Sequence, residues 1–270
     1  MKLKRMLKQV AALAVVSIAG FGQAVAHTSY VKPNVFSTSR ADMVTLEVSF
    51  TENFSNPEVG VTSQDWHFYL PDGSRAGYDN IVELKQVTVI KQSLEQEGTF
   101  RFSTGERLGR TGKRFLMPDG SFELAIGEDR EERPVPEGAT VVTSQTATVA
   151  DVYVTRGAPT RTAVDIKIGR LRIEPVTHPN EIYLDEGFDF RLTFDGAPMP
   201  GQVMTLYRDG GAYDDDKGAS EVIAGDGVTT ISFAEPGMYM LMTRHQANAP
   251  EGAQTDIRSY TTSITFEVTR

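Results

Sequence analysis

The chain carries four histidines, His27, His67, His178 and His245, and no cysteine. A transition-metal site in it must therefore draw on imidazole, carboxylate, methionine or backbone nitrogen. The stretch richest in chemistry is Ala24-Val25-Ala26-His27, which has the spaced small residues of a signal-peptidase site. Cleavage after Ala26 leaves His27 first, and its free α-amine and ring Nδ1 can then close a chelate on one ion. One further imidazole completes a T-shaped set of three nitrogens, suited to late first-row metals such as copper and nickel. Signal peptidase also tolerates a histidine after the cut by chance, so the other residues must carry part of the argument.

His67 lies between Trp66 and Phe68 on an alternating stretch and faces away from both. His245 ends an apolar strand, where the loops of a sandwich build sites. His178, in Thr177-His-Pro-Asn180, reads as an exposed bystander. The predicted metal ligands are His27, His67 and His245, with Glu52 or Asp65 as candidates for an added oxygen. The free α-amine has an ordinary pKa of about 7.7–8, so coordination displaces a proton and affinity should fall as pH drops.

Other clusters carry less. Met238, Met240 and Met242 alternate and share a strand face, which is better suited to core packing than to a Cu(I) thioether site. Tyr213-Asp-Asp-Asp216, with Asp209 and Asp226 near it, lacks the register of a calcium loop and reads as a solvated hairpin loop. No Gly-x-Ser-x-Gly is present, and no catalytic residue is assigned.

The elements that must position these residues are strands. Residues 1–26 read as a signal peptide: Lys2, Lys4, Arg5 and Lys8 precede an apolar run from Val10 to Gly22 that is too short for a comfortable membrane span. The full chain has 27 Lys+Arg against 36 Asp+Glu, a net charge of −9. Loss of the four leader cations takes the mature chain to −13, which argues against nucleic acid and anionic membrane partners and favours cations. The expected location is the periplasm, without membrane insertion.

Period-two alternation predicts strands at Val44 to Phe50, Trp66 to Leu70, Val82 to Lys91, Gly98 to Thr104, Gly120 to Ile126 and Thr140 to Val154. The glycine-rich run from Gly105 to Gly112 resembles a phosphate loop only superficially and is expected to be a solvated loop. Gly127 to Pro136 reads as a charged surface loop, and the mature chain shows no convincing amphipathic helix. After a looser stretch from Gly157 to Arg170, a second set is predicted at Phe188 to Phe194, Gln202 to Arg208, Val228 to Phe233, Gly237 to Arg244 and Thr261 to Val268. The expectation is an all-β protein of two β-sandwich modules, residues 27–165 and an immunoglobulin-like module at 170–270.

Two stretches carry a family resemblance. His27-Thr-Ser-Tyr-Val-Lys-Pro33 opens the mature chain, and Glu235-Pro-Gly-Met-Tyr-Met-Leu-Met-Thr-Arg-His245 is followed by Asp256-Ile-Arg-Ser-Tyr260. Together they resemble exported bacterial proteins catalogued mainly as a domain of unknown function, some linked to nickel and cobalt uptake as periplasmic accessories. The resemblance implies a metal-related role without established chemistry, with nickel or cobalt foremost, copper or iron as alternatives, and an inner-membrane transporter or TonB-dependent receptor as partner. The expected function is non-enzymatic metal binding. Its rivals are a copper oxidase with an N-terminal histidine brace and an adhesion or carbohydrate-binding sandwich.

Overall fold

A computed structural model describes residues 27–127, 129–215 and 218–270. Residues 1–26, expected to be a signal peptide, lie outside the described residues, as do Glu128, Asp216 and Lys217. The described chain is all β, apart from a single 3-10 turn at Gly211–Tyr213. Among the described residues no helix is long and apolar enough to cross a membrane.

The first layer is a sheet of β1 (Thr28–Pro33), β2 (Met43–Thr51), β3 (Asn80–Glu83) and β4 (Thr88–Ser93). β2 lies between β1 and β4, and β3 pairs along the far edge of β4. Alternation in β2 sends Val44, Leu46 and Val48 into the core at 0% exposure. The run expected as one strand from Val82 to Lys91 is instead a hairpin, with the Leu84 N–H bonded to the Val87 carbonyl. No glycine or proline marks that turn. It is held from outside, where the Ser49 hydroxyl bonds the Gln86 carbonyl and the Gly60 N–H bonds the Lys85 carbonyl.

β5 (Gly98–Ser103), β6 (Arg107–Leu116) and β7 (Thr140–Arg156) follow. β6 corrects a second expectation, because most of the predicted Gly105–Gly112 loop is strand. β7 offers it a backbone ladder, with a bulge between Leu108 and Thr111, and glycine at 109 avoids a clash, since a Cβ there would sit 2.3 Å from the Thr146 hydroxyl. The aromatic stretch from Trp66 to Leu70 contributes only a two-residue strand, Phe68–Tyr69, paired with β5.

Beyond residue 170, β8 (Leu171–Pro175), β9 (Phe188–Phe194) and β12 (Val228–Ile231) form one layer. β10 (Val203–Arg208), β11 (Ala219–Ile223), β13 (Gly237–Asn248) and β14 (Ile257–Val268) form the other. This second layer does not stop at its own module. β14 runs parallel to β7 from Ser144↔Ile257 to Val152↔Thr265, so β11-β10-β13-β14-β7-β5 is one continuous path.

Alternation along β7 then serves two cores at once. Ala150, Val152 and Val154 face a core with Leu46, Phe100 and Phe102, whereas Ala147 and Tyr153 face one with Phe188, Phe190 and Phe266. Burying each of the valine, leucine and phenylalanine side chains among these is worth about 1.5–3 kcal/mol, so both sandwiches draw substantial stability from the one shared sheet. A third, small cluster of Tyr30, Phe54 and Met240 ties β1 to β13.

Candidate metal centre

β1 begins one residue after His27, and its register sets Thr28 opposite Thr51 on β2. That pairing brings His27 beside Glu52, the residue that leaves β2. The chain then loops back, and the Glu58 N–H donates to the Phe50 carbonyl. The loop is closed by its own side chain: Glu58 Oε1 accepts the Glu52 N–H at 2.9 Å and lies 3.3 Å from the Thr51 hydroxyl.

The other carboxylate oxygen is thereby presented to His27. Nε2 of the ring is 2.9 Å from Glu58 Oε2, and Nδ1 is 4.0 Å from Glu52 Oε1. A carboxylate only accepts, so in the neutral ring Nε2 carries the proton and Nδ1 keeps its lone pair. This is how a metal-binding histidine is usually held, its second nitrogen donating to a carboxylate that fixes tautomer and ring orientation. Two donors each about 2.1 Å from an ion lie roughly 3–4 Å apart, so the Nδ1–Glu52 separation fits two ligands of one ion.

His27, Glu52 and Glu58 each offer a ligand atom within 4.8 Å of the others, the one such group of His, Cys, Asp and Glu among the described residues. Its side chains remain 42%, 40% and 29% exposed, so the group is open to solvent. Buried Tyr30 hydrogen-bonds Glu47, and its hydroxyl is pushed far above the usual tyrosine range by burial, then by Glu47, with Asp209 and Glu58 adding to the effect.

The other predicted ligands have partners of their own. His67 Nδ1 bonds the Asp65 carbonyl at 2.9 Å and the ring packs edge-on against Tyr69, while the Asp65 carboxylate pairs with Arg75. His245 packs against Phe194 at 4.7 Å, and burial, followed by the Arg170 charge, holds its pKa below the usual imidazole value. A guanidinium that opposes a proton opposes a metal cation for the same reason. Neither residue joins the His27 group.

His178 is not the exposed bystander expected from its turn. It is 7% exposed, with Nδ1 accepting the Asn180 N–H at 3.2 Å and Nε2 lying 3.1 Å from both the Thr160 carbonyl and the Thr99 hydroxyl. Met240 and Met242 are buried, and Met238 packs against the same small cluster as Met240. Glu52 was visible in the sequence as an oxygen donor, but Glu58 was not. Its only local signal is a carboxylate six residues beyond Glu52, which means nothing until the intervening loop is known to close.

The fold and this group define an all-β protein of two sandwiches on a shared sheet, with a histidine and two glutamates gathered where the first strand begins. Residues 24–247 match a domain of unknown function, DUF4198, and the chain belongs to that family. Comparison with curated proteins gives no match. Among solved structures, the D0-D1 domain of Intimin aligns over 89% of this chain and 99% of its own, at 10% identity and a TM-score of 0.19. A likeness that loose carries no argument about either protein.

Proposed function

We propose that this is an exported, periplasmic protein that binds a divalent first-row transition metal at His27 and serves as an accessory to its uptake. The observation that carries the reading is the 2.9 Å contact of His27 Nε2 with Glu58 beside a Glu52 carboxylate on the Nδ1 side. Removal of the leader after Ala26 would add the α-amine of His27. The amine and Nδ1 would then chelate the ion, Glu52 would supply an oxygen, and Glu58 would hold the ring.

An amine and an imidazole nitrogen, joined by a harder carboxylate oxygen, suit Ni(II) and Co(II), and Cu(II) by raw affinity. An open set of few ligands favours capture and release over a permanent structural ion, which is what a carrier of cargo needs. The recipient would be an inner-membrane transporter or a TonB-dependent receptor.

The test is calorimetric titration of Ni(II), Co(II), Cu(II) and Zn(II) into the protein beginning at His27, beside the same protein extended by one alanine. Lost affinity on extension supports the amine as a ligand, and the ion bound most tightly indicates the cargo. Equal binding by both forms removes the chelate, and no binding by either ends the metal reading.

A further inference from the structure

The segment joining the two modules, residues 157–170, folds over a cavity of about 260 Å³ between β5 and β7 on one side and β8 and β9 on the other. The volume lies just below the ~300–1,000 Å³ of sites for drug-sized molecules and suits a smaller ligand. Its lining is unusually basic for a chain of net charge −9.

Three of the arginines there are already neutralised. Arg101 makes a two-point pair with Asp151, Arg161 pairs with Asp165 at 2.7 Å, and Arg172 pairs with Glu174 at 2.8 Å. Lys167 and Arg191 remain. Lys167 is 64% exposed and reaches only to 3.9 Å from the already engaged Glu174. The Arg191 side chain lines the cavity from β9, and its guanidinium has no carboxylate partner among the described residues. With Asp151 counted behind Arg101, the five cations of the lining exceed the three nearby carboxylates by two.

The floor supplies a second, independent feature. Tyr153 is 1% exposed, lies beneath the Arg101 guanidinium and lines the cavity. Its hydroxyl hydrogen-bonds no described residue and is not among the fully enclosed polar atoms, and Tyr153 is one of the residues that line the cavity. A hydroxyl on so nearly buried a side chain, with no protein partner, has its hydrogen bond left for solvent or a ligand. Burial pushes the Tyr153 pKa above the usual tyrosine range, so the group stays a neutral donor.

We propose that this cavity is a binding site for a small, multiply charged oxyanion, a carboxylate or a phosphate, held by Arg191 and Lys167 at the mouth and by the Tyr153 hydroxyl at the floor. Guanidinium and ammonium groups supply charge-assisted hydrogen bonds to either class, and the phenol adds a neutral donor. The site lies apart from His27 and does not depend on a metal there.

The experiment is calorimetric titration of the whole mature chain, in metal-free buffer, with malonate, citrate and inorganic phosphate at low and high salt. At least one should bind, more weakly at high salt. Arg191→Ala, Lys167→Ala and Tyr153→Phe should each weaken it by about tenfold without lowering the melting temperature. His27→Ala should leave it unchanged. Preference for citrate or malonate over phosphate would assign the ligand to carboxylates, and the reverse to phosphates. Failure of all three to bind more tightly than about 10 mM, or binding that survives the combined triple variant, would overturn the proposal.

Discussion

His27 and Glu58 meet at 2.9 Å because a loop returns from β2 and bonds its own Glu58 carboxylate to the Glu52 backbone. One oxygen closes the loop and the other faces the ring, so loop closure and ring orientation are a single event. Removing Glu58 should therefore disturb the proposed metal site without removing one of its proposed direct ligands. Glu58→Ala is expected to lower affinity for the best-bound ion by about 10–100-fold, the usual cost of losing a carboxylate that orients a ligating histidine. Calorimetry measures this, and His245→Ala, which lies outside the group, should leave affinity unchanged.

Metal affinity should also carry a proton signature. In the proposed site the freed α-amine of His27 must lose its proton to coordinate, and the ordinary pKa of such a group is about 7.7–8. Affinity should fall by roughly tenfold for each pH unit below that value while one proton is displaced. Titrations between pH 6 and 8, in buffers of different ionisation enthalpy, count the proton released; a pH-independent constant would count against the amine.

His178 predicts an acid limb in stability. Burial holds its pKa below the usual imidazole value, and Nδ1 already accepts the Asn180 N–H, so a second ring proton has no acceptor there. The unfolded chain therefore binds that proton more readily than the folded one. Stability from this group is fully present above about pH 6.5 and is lost as pH falls from there through the lower folded value. Melting temperatures between pH 7 and 5 should show the decline, in a window where exposed carboxylates stay ionised. His178→Gln should flatten that limb.

Arg101 and Asp151 form a buried pair, with side chains 5% and 9% exposed. Asp151→Asn would leave a guanidinium charge without its counter-ion beneath the shared sheet. The expected cost is about 3–5 kcal/mol of stability, read by chemical denaturation. A loss below 1 kcal/mol would mean that solvent reaches the charge more readily than its burial indicates.

Gly109 tests the shared sheet at its other end. A Cβ there would meet the Thr146 hydroxyl at 2.3 Å, so Gly109→Ala should cost about 1–3 kcal/mol through overpacking against β7. Thr146→Ala in the same chain removes the obstructing oxygen, and the double variant should recover most of that loss. The double-mutant cycle measures the coupling.

Much of this protein follows from local pattern. Alternation along Val44 to Phe50, Phe188 to Phe194 and Thr140 to Val154 decides that these residues are strands, because a period of two leaves only one face to bury. Paired cores for two modules follow from the same signal, as does the reading of Met238, Met240 and Met242 as packing residues. The histidine at position 27 and the nearby Glu52 were likewise visible as residue types that bind metals.

What pairs with what was decided by tertiary structure. The hairpin within Val82 to Lys91 is held by bonds from Ser49 and Gly60, and the glycine run became strand because β7 accepted its backbone. The burial of His178 depends on Thr99 and Thr160, far from it in sequence. The junction of β7 with β14 joins segments over a hundred residues apart, and no local period encodes a partner. The same holds for the candidate site: Glu58 reaches His27 only because the β1–β2 register and the closed loop bring it there. Hydrophobic alternation states which face of a strand is buried, but partner and register depend on the free energy of the whole assembled sheet.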